Sequence, residues 1–140
     1  MTYQEIVTAF NNISLTQPNV NQYIKSGNIY DLSSDRNAKF SVFCVTPGTH
    51  TTNLREGYTT YNLFLYFVDR LKSDESNKLV VQSTALETLK NIIRVFVSTY
   101  DVECDTVDFE VFTERFSEVC AGAYATISIT SYEENCLEEF

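Results

Sequence analysis

The sequence predicts an α+β domain, with an antiparallel or mixed β-sheet packed against an N-terminal helix and one crossing helix. Two observations predict this class. Apolar residues recur at helical spacing near the start and in the middle of the chain, whereas the segments around them alternate as strands do. Strands that follow one another without intervening helices favour an antiparallel sheet. Because the chain has 140 residues, we expect residues 1–140 to form a single domain with one core.

An amphipathic helix is predicted at the start of the chain. Thr2 and Glu5 form a capping-box pattern, in which two side chains satisfy free backbone N–H groups at the helix start. The apolar residues that follow at helical spacing are Ile6, Val7, Phe10 and Ile13. Pro18 ends this helix, because proline disfavours helical backbone in the residue before it. Asn19 then caps a second, short predicted helix, with Gly27 at its exit.

Two strands are predicted next, on either side of an exposed loop. Residues 28–37 are polar and predict a connecting loop, and residues 38–46 alternate as a strand does. Residues 49–57 lack apolar side chains apart from Leu54, so we expect a mobile, exposed loop there. Residues 58–68 carry aromatic or apolar residues on both faces, which predicts a long strand covered on both sides.

The middle of the chain predicts a short strand and the crossing helix, and the final third predicts two strands. Residues 79–82 form the short strand, and Thr84 with Glu87 makes a second capping box where the helix starts. Residues 107–114 alternate between apolar and mostly acidic side chains, which predicts a strand with one wet face. The inward face of the last strand is small or apolar: Val119, Ala121, Ala123, Ala125, Ile127 and Ile129.

The net charge of −9 is concentrated after residue 100. Residues 101–140 contain eleven acidic residues and one basic residue, whereas residues 1–100 contain eight acidic and nine basic residues. A surface that grips nucleic-acid phosphates needs clustered Lys and Arg, so this block argues against such binding. Three interpretations stay open: a surface that DNA passes without binding, a contact for a basic partner, and a solvated face that keeps the protein in solution.

The sequence carries no signature of catalysis, metal binding or cofactor binding. Cys44, Cys104, Cys120 and Cys136 are widely separated and His50 is the only histidine, so we interpret the cysteines as thiols. The four glycines form no phosphate-binding cluster. We therefore expect a protein that is not an enzyme and takes no cofactor or metal. We also expect neither a membrane span nor a secretory signal, since no apolar run is long enough.

The aromatic strand is interpreted as a packing element. Its aromatic residues lack interleaved basic side chains, which disfavours base stacking and favours core or interface packing. Asp69 and Arg70 follow at its end. An ion pair or a subunit contact explains these two residues better than a catalytic acid with its orienting cation.

A further set of residues carries a resemblance to a known class of protein. The set is the aromatic strand LFLYF, the exit Asp69-Arg70-Leu71, the turn Ser76-Asn77, and Gln82-Ser83-Thr84 entering a helix through Leu89, Asn91 and Ile92. With these features, residues 63–96 resemble small structural proteins from the neck and tail of tailed bacteriophages, including crAss-like phages of Bacteroides-type hosts. The order of elements is also similar to that of tail-terminator and neck proteins.

The resemblance implies a virion protein assembled in the host cytoplasm. It would form a sixfold or twelvefold ring of identical subunits in the head-to-tail connector or upper tail, beside portal, neck or tail proteins. DNA would pass through the lumen as cargo, without specific binding and without any role for a membrane. The expected subunit contacts are Leu54, Arg55, Tyr58, Tyr61, Phe64, Tyr66, Asp69 and Arg70. The expected acidic lumen residues are Asp108, Glu110, Glu114 and Glu118. Residues 133–140 would form a docking tail with Leu137, Glu138, Glu139 and Phe140.

Two other functions stay open from the residues alone. One is a monomeric or dimeric domain that binds a small apolar ligand between the sheet and the helices, in a pocket lined by Phe64, Tyr66 and Phe96. The other is an enzyme whose catalytic residues form no recognisable pattern. A ligand-dependent rise in melting temperature would distinguish the ligand-binding domain from a ring subunit.

Overall fold

The fold is a five-stranded mixed sheet with two helices on one side, which confirms the predicted α+β class. The computed structural model describes residues 1–33, 39–104, 106–115 and 118–132. The elements in chain order are α1 (Tyr3–Leu15), β1 (Gln22–Tyr23), a 3-10 helix (Ile29–Ser33), β2 (Val42–Asn53), β3 (Tyr58–Arg70), α2 (Lys78–Thr99), β4 (Val107–Arg115) and β5 (Val119–Tyr132). The strand order is β1-β2-β3-β5-β4, antiparallel except for the β1–β2 pair.

Helix α1 forms as predicted from its capping box. The backbone N–H of Glu5 donates to the Thr2 hydroxyl, and the backbone N–H of Thr2 donates to the Glu5 carboxylate, at 3.2 and 3.1 Å. Ile6, Ala9 and Phe10 are buried on its inner side. The Phe10 ring stacks on the ring of Phe96 in α2 with centroids 4.1 Å apart, and this contact packs the two helices against each other.

The start of α2 differs from the prediction. The helix begins at Lys78, so residues 79–82 are its first turn and not a strand, and Thr84 lies inside the helix. An apolar run of this length is compatible with either structure. The run is helical because Val81 continues the buried stripe of Ala85 and Leu89 at intervals of four residues. Leu79, in contrast, is 80% exposed.

The predicted second helix after Asn19 is also wrong. Gln22 and Tyr23 instead form β1, which pairs in parallel with the first residues of β2. Backbone pairing with a strand distant in sequence decides the structure here, and a local pattern cannot reveal it. Gly27 has a φ of +74°, in keeping with the left-handed exit expected at this position. The predicted loop contains a 3-10 helix, Ile29–Ser33, before the gap at residues 34–38.

The predicted loop at residues 49–57 is wrong for most of its length. β2 continues to Asn53 and pairs with β3 up to Tyr58, so only residues 54–57 form the hairpin turn. The sequence is polar here because both faces of this part of the hairpin are largely exposed, and Thr is a good strand former. β3 confirms the predicted aromatic strand, and β4 and β5 confirm the last two strands.

The core lies between the sheet and the two helices. Leu63, Leu65 and Phe67 of β3 point into it, beside the small residues Ala123 and Ala125 of β5, and all five are buried. The alanines leave room for α2 to lie close to the sheet. The predicted inward face of β5 is confirmed, apart from the half-buried Val119 at its start.

Candidate functional site

The candidate site lies on the sheet face that is turned away from α1 and α2, here called the open face. From the sequence, we expected both faces of β3 to be covered by other parts of the chain. On the open face, the structure shows such a cover at one end only. There, Ile29 and Leu32 of the 3-10 helix pack on Val42, Val68 and neighbouring residues. The rest of the open face has no described element over it.

Four aromatic rings form a cluster on the open face, next to the residues that the 3-10 helix covers. They are Phe64 and Tyr66 of β3, Phe112 of β4 and Tyr124 of β5, here called the aromatic cluster. The Tyr66 centroid lies 5.4 Å from that of Tyr124 and 6.1 Å from that of Phe112. Phe64 meets Tyr124 edge-on at 6.4 Å. Three strands therefore supply one aromatic surface.

The aromatic cluster lines a cavity of about 280 Å³. Its remaining lining residues are Ile29, Tyr30 and Glu114. This volume is slightly below the range of about 300–1,000 Å³ that is usual for small-molecule sites. The cavity therefore fits one or two side chains better than a cofactor.

A phenol beside the cavity donates a hydrogen bond, and the carboxylates beside it accept hydrogen bonds. The Tyr124 hydroxyl donates to the Glu110 carboxylate, and this bond raises the pKa of Tyr124. Burial raises the pKa of Tyr66. Both phenols are thus protonated at neutral pH. The Glu114 carboxylate accepts from the backbone N–H of Arg115 at 3.1 Å and is exposed.

A polar strip continues the open face away from the aromatic cluster. The hydroxyls of Thr60 and Thr130 lie 3.0 Å apart across the β3–β5 pair. The Ser128 hydroxyl donates to Asn62 Oδ1, and Asn62 Nδ2 donates to the Thr49 carbonyl at 2.6 Å. These groups satisfy one another, so the strip needs no partner to be stable in water.

The predicted contact residues do not form a single patch. Phe64 and Tyr66 lie in the aromatic cluster, and Tyr58 lies farther along the open face with its ring centroid 5.6 Å from that of Tyr132. Tyr61 points to the opposite face, where its hydroxyl donates to the Met1 carbonyl. Leu54 and Arg55 form the hairpin tip, and Leu54 is 86% exposed. Asp69 and Arg70 lie at the far end of β3.

Three of the four predicted acidic lumen residues lie in one row. Asp108, Glu110 and Glu114 are exposed on the open-face side of β4. Glu118 precedes β5 and forms an exposed ion pair with Arg70 at 3.6 Å. The predicted docking tail, with Leu137, Glu138, Glu139 and Phe140, lies outside the described residues, as does Cys136.

The cysteines of the described chain are free thiols, as the sequence suggested. Cys44 and Cys120 are buried on the covered end of the open face, and Cys104 is half-buried. Burial raises the pKa of Cys44 to about 11 and that of Cys120 to about 12. Thiols with such pKa values are poor nucleophiles, so these two act as small apolar residues.

The pocket predicted between the sheet and the helices does not form. Phe96 is fully buried against Phe10 on the helix side, whereas Phe64 and Tyr66 lie on the other face of the sheet. The space between the layers is filled by core side chains. A separate cavity of about 710 Å³ is an open groove beside β1, lined among others by Leu15 and Tyr23.

Comparison with protein-family models and with curated protein sequences finds no match. Within the described ranges, His, Cys, Asp and Glu side chains nowhere come together in a group of three that could hold a metal ion. Neither described helix has both the length and the apolar character that crossing a bilayer requires. The function must therefore be argued from the geometry of the open face.

Two members of the aromatic cluster were missed in the sequence. Phe112 stands on the face of β4 that otherwise carries Asp108, Glu110 and Glu114, and Tyr124 stands among the hydroxyl residues of β5. An aromatic residue on an otherwise polar strand face is the signal that could have identified both. Their meeting with Phe64 and Tyr66 depends on strand order, which local patterns do not contain.

Proposed function

We propose that this chain is a structural, non-enzymatic virion protein that forms a homo-oligomeric ring in the head-to-tail connector or upper tail of a tailed phage. One observation supports self-assembly: four aromatic rings form a cluster on a sheet face that the 3-10 helix covers at one end only, and all four rings stay partly exposed. Aromatic surface of this kind is typical of protein interfaces, because it buries a large area at low entropy cost. The placement in a phage neck or tail is supported by the resemblance of residues 63–96.

The edges of the sheet support contacts through the open face rather than through edge-to-edge strand pairing. Within the described chain, β4 pairs only with β5, and β1 covers only the first two residues of β2. Pro47 and an irregularity before His50 interrupt the free edge of β2, and acidic side chains line β4. Proline, bulges and charges are the features by which proteins prevent strand addition at a free edge.

The exposed carboxylates support the proposed passage of DNA without binding. Asp108, Glu110 and Glu114 form a row that repels phosphates, and the ion pair of Glu118 with Arg70 leaves no excess positive charge at that end. In the ring, those acidic residues that stay outside the subunit contacts keep the lumen wall from holding the DNA. A gel-shift assay at low salt should accordingly show no DNA binding at micromolar protein.

The decisive experiment measures the mass of the assembled protein. Light scattering and native mass spectrometry should be run at micromolar and higher concentrations, alone and with the proteins encoded beside it. A sixfold or twelvefold species, alone or on a partner ring, is the expected result. A monomer under every condition, including with those partners, would rule out the ring.

A matched pair of variants tests whether the subunits of the ring meet through the open face. Tyr124→Ala removes a ring from the aromatic cluster, and Leu79→Ala removes an exposed apolar side chain from the surface of α2. The first should shift the protein towards smaller species and the second should not. Equal behaviour of the two variants would mean that the subunits meet somewhere other than the open face.

A further inference from the structure

The hairpin tip presents one apolar and one cationic side chain at the end of a long arm. β2 and β3 contain 12 and 13 residues, and residues 54–57 connect them. Leu54 is 86% exposed and Arg55 is exposed beside it. No ion pair to Arg55 occurs among the described residues. The exposed leucine can bury apolar surface against a partner, and the unpaired arginine beside it can bind a carboxylate there.

The shape of the tip is fixed by its own hydrogen bonds. Asn53 Oδ1 accepts from the backbone N–H of Glu56 at 2.9 Å, and the Asn53 carbonyl accepts from the backbone N–H of Gly57 at 2.9 Å. Gly57 takes a φ of +72°, which a residue with a side chain rarely adopts. The backbone that carries the two tip side chains is therefore fixed before any partner arrives, and this lowers the entropy cost of binding.

The cavity at the aromatic cluster has the chemistry that selects a cation on an apolar stem. Ring faces attract a cation positioned over them, and arginine is the side chain most often found in this arrangement. Glu114 lines the same cavity, and the Glu110 carboxylate accepts from Tyr124 beside it. The lining residues include no Lys or Arg in the described part of the chain. Carboxylates can form paired hydrogen bonds with a guanidinium.

This inference rests on the proposed ring. We propose that the hairpin tip of one copy enters the aromatic cavity of the next copy. Leu54 packs against the rings, and the Arg55 guanidinium lies between the ring faces and the carboxylates of Glu110 and Glu114. Asp108 and Glu118 are left as the acidic residues outside the contact. The same two surfaces, one on each subunit, repeat around the ring.

The tip cannot reach the cavity of its own chain. Tyr58 and Tyr66 are eight residues apart on the same extended strand. At about 3.3 Å for each residue, this separates the tip from the cavity by about 26 Å. The contact must therefore join two chains, and it joins different parts of them. Such a head-to-tail contact produces a closed ring when the rotation between neighbours closes.

A charge-reversal exchange tests the contact. Arg55→Glu and Glu114→Arg both change exposed residues, so both variants should fold, which circular dichroism and thermal unfolding will check. Each variant alone should need a protein concentration about tenfold higher or more for half-assembly, because the attractive pair becomes a repulsive one. An equimolar mixture should reassemble into rings that contain equal numbers of the two chains, since every contact then joins opposite charges. Native mass spectrometry reads the composition directly.

Arg94→Glu provides the matched control. Arg94 is exposed on α2, far from the tip in sequence. This variant should assemble as the wild type does, and its mixture with Glu114→Arg should not restore the Glu114→Arg chains. Leu54→Ser serves as a second tip variant that leaves the charge unchanged, and it should also weaken assembly.

The outcomes separate this inference from the proposed function. If the wild type forms rings and the single variants form them equally well, the tip contact is wrong and the ring stands. If the single variants dissociate but their mixture does not reassemble, the two surfaces are not partners. A wild type that is monomeric under every condition, with its neighbouring proteins present, overturns the ring and this contact together.

Discussion

The two faces of the sheet are built by the same strands, yet they end in different environments. Along β3, Leu63, Leu65 and Phe67 are fully buried under the helices, whereas Phe64 and Tyr66 between them stay partly exposed. In this part of β3, both faces carry large apolar or aromatic side chains. What differs is the covering element, and only the helix side has one along its whole length. An apolar surface that the described elements leave partly uncovered is a candidate contact for another chain.

The strongest test of this comparison removes one aromatic ring from each face. Phe96→Ala should lower the free energy of unfolding by about 3–5 kcal/mol, because it empties a fully buried site and loses the stacking on Phe10. Phe64→Ala should cost about 1 kcal/mol, since its ring is partly exposed. Urea unfolding at low concentration, where copies are separate, measures both. Equal losses would mean that the open face is covered within one chain.

A second test adds a methyl group on the open face at Gly122, where β5 pairs with β3. A Cβ on Gly122 would lie 1.9 Å from the Phe67 carbonyl oxygen, which belongs to the neighbouring backbone. Gly122→Ala should therefore cost about 1–3 kcal/mol by urea unfolding, through displacement of β5 from β3. Gly48→Ala is a milder comparison, with a nearest distance of 2.9 Å to the Asn62 carbonyl oxygen at the exposed end of the hairpin. The Gly48 variant should be the more stable of the two.

A third test uses pH to examine the covered end of the open face. Burial raises the pKa of the Cys44 thiol to about 11, while an unfolded thiol titrates near about 8.5. The unfolded state thus releases its proton first, and stability should fall as pH rises from about 8.5 towards 11. The urea midpoint of the wild type should decrease over this window. In Cys44→Ala, the decrease should be shallower. An unchanged slope would show that water reaches the Cys44 thiol in the folded protein.

The smallest effect is expected for the exposed ion pair at the end of β3. Arg70 and Glu118 form an ion pair whose side chains are 54% and 52% exposed. Glu118→Gln should change the free energy of unfolding by less than about 1 kcal/mol, because water and salt screen such pairs. Added salt should reduce the difference further. A larger loss would indicate that this end is buried in solution, as a subunit contact would bury it.

The sequence was informative where the local pattern and the final environment agree. The capping box of Thr2 and Glu5, the alternation of β4 and β5, and the aromatic run of β3 all correspond to elements of the structure. Each combines a local backbone preference with a buried face, so that period and propensity point to the same element. The α+β class followed from these elements alone.

The sequence failed where a distant partner decides the structure. β1 exists because it pairs with Val42 and Phe43, about twenty residues later, and the polar end of β2 is a strand because β3 lies beside it. Of the aromatic cluster, Phe64 and Tyr66 were named in advance, whereas Phe112 and Tyr124 were not. Which strands become neighbours is a property of the whole sheet, so no window of the sequence contains the cavity.

The position of β5 in the sheet determines when the aromatic cavity can form during protein synthesis. β5 is the last strand along the described chain, yet it lies between β3 and β4 and pairs with both. On the ribosome, Phe112 emerges before the strand that holds β4 in place, and Tyr124 emerges on that strand itself. The aromatic cavity is therefore complete only after translation has passed Tyr132.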